Sequence, residues 1–291
     1  MSSPQSSNSK SLVSVVTPSY NSRSTILSAI NSVLDQDPTI PYIVVDDCST
    51  DGIPYRFESF PNVIFIENAI NLGSSSTRNV GLLEVNSPYV IFLDADDYIL
   101  PKTIETLHQV VLIDQPDIIY FPWYKKNGDG VITGPFMNGS SNPTEMFNAW
   151  LDGRFVPPCA VIWRVDYLKK IGSWGEGLRY NDDGELALRA LLHNPRISVA
   201  TTGGGVYLKG VNPDAVSNAK LEVKIKTNIH IFRSIRNLIN NLVEAGSNQT
   251  DLTSKMGEAM YHFARIAYQK KENKLAEIAL AAAREFGFKG Y

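Results

Sequence analysis

Three carboxylates fall within four positions where Asp94-Ala95-Asp96-Asp97 closes the apolar run Val90-Ile91-Phe92-Leu93. Held together near neutral pH, each pair would repel by about 4 kcal/mol at a separation of about 4 Å and an effective dielectric of about 20. Protonation of one member, splaying into water, or a bound divalent cation would each relieve that repulsion. The cation reading carries chemistry: hard carboxylate oxygens select Mg²⁺ or Mn²⁺, held through one or two side chains with phosphate oxygens completing the shell. The plain alternative is an acidic turn that stays solvated.

Two more acidic groups stand out. Asp46-Asp47-Cys48-Ser49-Thr50-Asp51-Gly52 directly follows the apolar run Tyr42-Ile43-Val44-Val45, and Asn181-Asp182-Asp183-Gly184-Glu185 opens a segment whose Leu186, Leu188, Ala190 and Leu191 give it apolar helical faces. Carboxylates at a helix N-terminus are favoured by the dipole, so capping by Asn181 or Asp182 explains the second group locally, while a carboxylate held there is also rigid and aimed.

The elements that would position these groups are legible from patterning. Residues 12–17 form a β-branched run that stops at the turn cluster Pro18-Ser19-Tyr20-Asn21 and passes into a helical pattern through Leu34, with Ser24 as its expected N-cap. Further near-continuous apolar strands are expected at 42–45, 63–66 and 90–93, with a helix over 74–85 that carries Arg78. Strands alternating with helices predict an open, doubly wound α/β sheet, in which ligands bind beyond the carboxyl ends of the strands. The polar clusters at 18–21, 46–51 and 94–97 would all meet at that edge.

Downstream, Pro101 is expected as the first residue of a helix, followed by a strand over 118–123, a hairpin turning at Gly128-Asp129-Gly130, a short helix over 144–151, a strand over 159–164 and the Gly- and aromatic-rich loop 172–177. From residue 216 onward the pattern is helical: 220–245, 253–269 and 273–286, the last capped by Asn273. This divides the chain into a polar lead-in (1–11), a core domain (12–215, with halves 12–100 and 101–215) and a C-terminal helical region (216–291) suited to a structural appendage, a homodimer surface or a peripheral membrane contact.

Composition narrows the classes. A 291-residue chain with 43% hydrophobic and 20% charged residues and a net charge of −3 is an ordinary globular protein without the basic field that nucleic-acid binding uses. Cys48 and Cys159 have no metal-ligand spacing and read as reduced thiols of a cytoplasmic protein. No apolar run reaches the roughly 20 residues of a membrane span, so any lipid-linked partner would be met at the inner membrane face. No Gly-rich phosphate loop follows the first strand, which argues against a nucleotidyltransferase or a Rossmann dehydrogenase.

The motifs in order, Val13-Ser14-Val15-Val16-Thr17-Pro18-Ser19-Tyr20-Asn21, Val44-Val45-Asp46-Asp47-Cys48-Ser49-Thr50-Asp51-Gly52, Asn71-Leu72-Gly73 with Thr77-Arg78-Asn79, Phe92-Leu93-Asp94-Ala95-Asp96-Asp97, and Asn181-Asp182-Asp183-Gly184-Glu185, resemble the family 2 inverting glycosyltransferases with the GT-A fold. The resemblance covers roughly the first 210 residues. It implies a GT-A-type open, mixed but mostly parallel sheet flanked by helices, with a Rossmann-like nucleotide-binding half. It also implies a nucleotide-sugar donor and Mn²⁺ or Mg²⁺ as cofactor. Pro18, Tyr20, Asn21 and Asp47 would hold the nucleotide, with Tyr20 stacking on the base and Asp47 accepting from its ring N–H. A UDP-sugar suits that contact best, and dTDP- and GDP-sugars are also admitted. Asp46 would be structural, and Arg78 would face the phosphates or the base pocket. Asp94-Ala95-Asp96 matches the DxD signature, with Asp96 on the metal and Asp94 on the ribose or the metal through water.

In the same resemblance Asp183 is the catalytic base for an acceptor hydroxyl, and Trp174 and Tyr180 lie where sugar and acceptor meet, although core packing would equally explain these rings. The chain departs from the family pattern in Asp182, which replaces a Glu, and in Gly184, which replaces an aromatic, and this leaves open how Asp182 and Asp183 divide the work. The implied reaction moves a sugar to a hydroxyl of a glycan or lipid-linked acceptor in surface-polysaccharide or glycoconjugate synthesis. A catalytically silent sugar-nucleotide-binding scaffold in a glycan assembly complex is the alternative.

Overall fold

The computed structural model describes residues 11–52, 60–178, 180–209, 219–244 and 252–290. The expected lead-in, apart from its last residue, and the expected boundary at 215/216 lie outside the described residues.

The centre is a seven-stranded sheet in the order β10-β6-β9-β4-β1-β2-β3. Its N-terminal half is β1 (Val13–Ser19), β2 (Tyr42–Asp46), β3 (Val63–Glu67) and β4 (Tyr89–Phe92), all parallel. β1 is the hinge of the arrangement, pairing Val15 with Tyr42 on one side and with Ile91 on the other. Strands covered on both faces need apolar residues throughout, and β2 and β4 are buried at every position. The other half comprises β6 (Ile118–Tyr120), β9 (Val161–Arg164) and β10 (Ile197–Val199), where β9 runs antiparallel to both β4 and β6. The sheet is therefore mixed but mostly parallel.

Helix α1 (Ile26–Leu34) buries Ile26, Ala29, Ile30 and Val33. Helix α2 (Ser74–Leu83) packs on β1 and β2, and its closest approach is at Gly81, where a Cβ would stand 2.4 Å from Val16 Cγ1 and 3.1 Å from Val45 Cγ2. Only a residue without a side chain lets the helix sit that low.

A second, four-stranded sheet runs β5-β11-β7-β8, built from β5 (Tyr98–Ile99), β7 (Trp123–Asn127), β8 (Ile132–Phe136) and β11 (Gly205–Lys209). The strand expected over 118–123 is thus two strands in two sheets. Pro122 stands at the break, and with no N–H to donate it cannot continue a ladder. β5 and β10 were not expected, since two or three residues are too few to show a period.

Several helix starts differ from expectation. Helix α3 (Thr103–Asp114) begins two residues after Pro101, behind Lys102 in a left-handed conformation, so Pro101 belongs to the turn. Helix α1 starts behind Thr25 and not Ser24, without a side-chain cap. Helix α4 (Pro143–Leu151) lies close to its expected place, with Asn142 capping it through Thr144 N–H at 2.9 Å, and the short helix α5 (Val165–Lys170) follows β9. Helix α6 (Asp182–Leu192) follows Asn181 at φ 56°, whose side chain donates to Asn228 instead of capping.

The C-terminal helices are α7 (Leu221–Glu244), α8 (Leu252–Gln269) and α9 (Asn273–Glu285). Asn273 is the first helical residue of α9, not its cap. These helices dock on the core through α7 on α6 and α8 on α4. Phe232 of α7 meets Phe286 edge to face at 5.8 Å, and Arg233 and Arg236 pair with Glu285 at 2.7 and 2.9 Å. Among the described residues no helix is long and apolar enough to cross a membrane.

Candidate active site

Beyond the carboxyl ends of β1, β2 and β4 lies a cleft of about 1830 Å³. Pro18, Tyr20 and Asn21 reach it from the end of β1, Asp47 from β2, Asp94, Ala95 and Asp96 from β4, Arg78 from α2, and Tyr180, Asp182 and Asp183 from the start of α6. The edge rule for open α/β sheets therefore gathers all but one of the expected residues.

The exception is Trp174. Its ring is 3% exposed, packed edge to face on Phe92 at 5.1 Å, with the Arg78 guanidinium 4.3 Å from its centroid. Trp174 is a floor under Arg78 and offers no face to a sugar. Tyr180, half-buried at the rim, keeps its place in the cleft, and Lys224 Nζ lies 5.3 Å from its ring centroid.

The loops after β1 and β2 are stitched to one another. Asn21, at φ 49°, donates its N–H to Ser49 Oγ at 2.8 Å and accepts from Thr50 N–H at 2.9 Å. Asp46 accepts from Ser49 N–H and Oγ and so holds the turn, as expected of a structural residue. Asp47 is 4% exposed and accepts from the N–H groups of Leu72 and Gly73, both at 2.8 Å, and from Asn68 Nδ2 at 2.9 Å. It joins the end of β2 to the loop before α2. Tyr20, 47% exposed, leaves a ring free over the cleft.

Arg78 is the pivot of the other side. Buried at 4% exposure, it donates from Nη1 to Asp182 Oδ2 at 2.8 Å and from Nη2 to Asp94 Oδ1 at 2.6 Å. The guanidinium expected to face phosphates or the base is thus spent on two carboxylates. Asp182 Oδ2 also accepts from Ser74 Oγ at 2.8 Å and Ser75 Oγ at 3.0 Å. Burial works hardest against its ionisation, but Arg78 and the two hydroxyls together hold its pKa below the ordinary value. The serines were missed in sequence; their run at the start of α2, just after Gly73, was the available signal.

Asp183 differs sharply from its neighbour. Among the described residues its one hydrogen-bond donor is the Gly184 N–H at 2.9 Å, and burial, then the charge of Asp182, push its pKa up to about 7. Asp96 is raised to about 6 by burial and by the charge of Asp94. Asp97, the third acid of the cluster, is turned away from the cleft lining. It is buried and accepts from Leu208 N–H at 2.8 Å, tying the end of β4 to β11, with a pKa raised well above normal by burial and by Asp96 and Asp94.

The donor set suits a hard divalent cation. Asp96 is partly buried, lines the cleft and has no cationic side chain paired to it among the described residues, while Asp94 keeps Oδ2 clear of Arg78. Among the described residues no group of three or more His, Cys, Asp or Glu is arranged to hold a metal alone, so a cation here would need ligand oxygens to complete its shell.

A mixed, mostly parallel sheet with its acids gathered at one edge and helices appended after it defines a GT-A-type glycosyltransferase fold. The family model described as "Glycosyl transferase family 2" matches residues 14–172, and the chain belongs to that family. The chain is 45% identical over 97 residues to the putative teichuronic acid biosynthesis glycosyltransferase TuaG of Bacillus subtilis, an alignment covering 31% of this chain and 38% of TuaG. It is 28% identical over 214 residues to the poly(ribitol-phosphate) beta-N-acetylglucosaminyltransferase TarS of Staphylococcus aureus, covering 71% of this chain and 37% of TarS. The chain thus spans well under half the length of these two relatives. Its fold superposes on the crystal structure of S. aureus TarS 1-349 in complex with UDP-GlcNAc with a TM-score of 0.62 at 22% identity, covering 94% of this chain and 88% of that one.

Proposed function

We propose that this protein transfers a sugar, with inversion, from a nucleotide diphosphate sugar to a hydroxyl of a cell-surface glycan or lipid-linked acceptor. The observation that carries the reading is the division of the acids in one cleft: Asp182 is locked to Arg78, while Asp183 and Asp96 line the same space with no salt-bridge partner among the described residues. Tyr20 stacks on the base, and the loops held by Asn21 and Asp47 form its pocket. A UDP-sugar is the favoured donor, in keeping with the UDP-GlcNAc complex of TarS. Asp183 takes the proton of the attacking hydroxyl, which lets the oxygen approach the anomeric carbon from the side opposite the leaving diphosphate. Asp96, with Asp94 behind it, would hold Mn²⁺ or Mg²⁺, whose Lewis acidity stabilises charge on the departing phosphate oxygen. Arg78 fixes Asp94 and Asp182 relative to one another, and so sets donor side and base side in register.

In a thermal-shift measurement, UDP with Mn²⁺ is expected to raise the melting temperature, EDTA to remove the rise, and Asp96→Asn to abolish it. A panel of nucleotide sugars screened for metal-dependent hydrolysis identifies the donor. A rise with UDP but no turnover with any donor and acceptor would point instead to a silent binding protein.

A further inference from the structure

The cleft is larger than a sugar nucleotide needs: about 1830 Å³, against the 300–1,000 Å³ or so usual for small-molecule sites. The same cleft is also lined by the small sheet, the segment after α4, and α7 and α8. β7 and β11 pair with Trp123 opposite Gly205 and Lys125 opposite Tyr207, and side chains alternate along a strand. Trp123, Lys125, Tyr207 and Lys209 therefore share one face, and all four line the cleft. Phe155 adds to that wall, 5.2 Å from Trp123 and 6.4 Å from Tyr207 between ring centroids.

From across the cleft come Lys220 and Lys224, at the start of α7. Lys224 lies near enough to Lys209 and Lys270 that their charges, after burial, lower its pKa. Two acids share this rim, but both are engaged: Glu258 with Lys255 at 2.7 Å, and Asp152 with Arg154 at 3.3 Å. Lys125, Lys209 and Lys220 have no carboxylate in salt-bridge reach among the described residues. In a chain of net charge −3, lysines from β7, β11 and α7 converging over an aromatic wall make a local reversal of charge.

We propose that this part of the cleft is an acceptor subsite for a polyanionic polyol or glycan chain, in which the partly exposed Phe155 and Tyr207, and not the buried Trp123, take the apolar faces of the carbon skeleton and the lysines take its phosphate or carboxylate groups. The inference rests on reading the acidic end as the donor site, and it names the class of acceptor that the neighbouring wall selects. Phosphate and carboxylate are two sources of the same chemistry.

The test titrates the full chain, with UDP and Mn²⁺ present, with three oligomers of similar length: a glycerol-phosphate hexamer, hexagalacturonate and neutral maltohexaose. One or both anions are expected to bind, more weakly as salt rises, while maltohexaose gives no signal. Which anion binds identifies the source. The double variant Lys125→Ala/Lys220→Ala is expected to weaken anion binding about tenfold or more, and Lys125→Arg/Lys220→Arg to restore most of it, with the unliganded melting temperature as the control for folding. Equal binding of maltohexaose, unchanged anion binding by the alanine variant, or no anion binding while wild-type protein still shows the UDP shift would overturn the acceptor inference and leave the donor reading standing. Absence of the UDP shift in wild-type protein would instead remove the donor reading, and the inference with it.

Discussion

Asp182 and Asp183 are adjacent in sequence and opposite in behaviour. Asp182 accepts from Arg78, Ser74 and Ser75 and stays ionised; Asp183 has one backbone donor and a pKa of about 7. A base must be deprotonated to work, so transfer is expected to rise with pH through about 7 and then level off, as read from a profile of kcat/KM. Asp183→Asn should cost roughly 100- to 10,000-fold in rate while UDP still binds. Its effect on stability has the opposite sign. Between the ordinary carboxylate range and about 7 the folded state keeps a proton on Asp183 that the unfolded chain has lost, so stability falls as pH rises through that window. Asp183→Asn is therefore expected to raise the melting temperature at neutral pH, and a lower melting temperature would contradict this account. Arg78→Met acts the other way, leaving Asp94 and Asp182 unpaired inside the protein at a cost of about 3–5 kcal/mol in urea unfolding.

At the scale of elements, α2 is the part that fixes Asp94 and Asp182 relative to one another, because it carries Arg78 and the two serines to them. Its depth on the sheet depends on Gly81, where even a methyl group would meet Val16 and Val45. Gly81→Val should destabilise the fold by about 1–3 kcal/mol through overpacking. If urea unfolding showed no loss, the close packing of α2 on β1 and β2 would not be the constraint inferred. The small sheet is held close to the acidic strand end: β5 follows Asp97 directly and pairs with β11, and the Asp97 carboxylate accepts from Leu208 N–H.

For the whole molecule, the C-terminal helices are part of the packed body. Their apolar residues run continuously into the core through Ile225, Ile231, Phe232, Met256, Met260 and Phe286. Phe286 is 1% exposed, so Phe286→Ala is expected to cost about 3–5 kcal/mol in chemical denaturation. A cost near zero would mean that α9 contributes little to the stability of the body it packs on. Because α7 and α8 also line the cleft, these helices complete the binding surface as well as supporting it.

Much of this was written locally in the chain. Apolar runs of strand length, each ending in a polar cluster, determined the parallel half of the sheet, and the geometry of such sheets sends every cluster to one edge. That logic brought Pro18, Tyr20, Asn21, Asp47, Asp94, Ala95 and Asp96 together with no tertiary information. Short elements escaped it: β5 and β10 have no measurable period, and the break at Pro122 sends one apolar run into two sheets. Only the tertiary structure decided which acids are bound and which are open, since the bond between Arg78 and Asp182 spans 104 positions. It also buried Trp174 beneath Arg78 and set the lysines of β7, β11 and α7 around the same cleft. Residue type and spacing mark a group as able to do chemistry. Its charge state, partners and exposure are fixed by whatever distant chain segments pack against it.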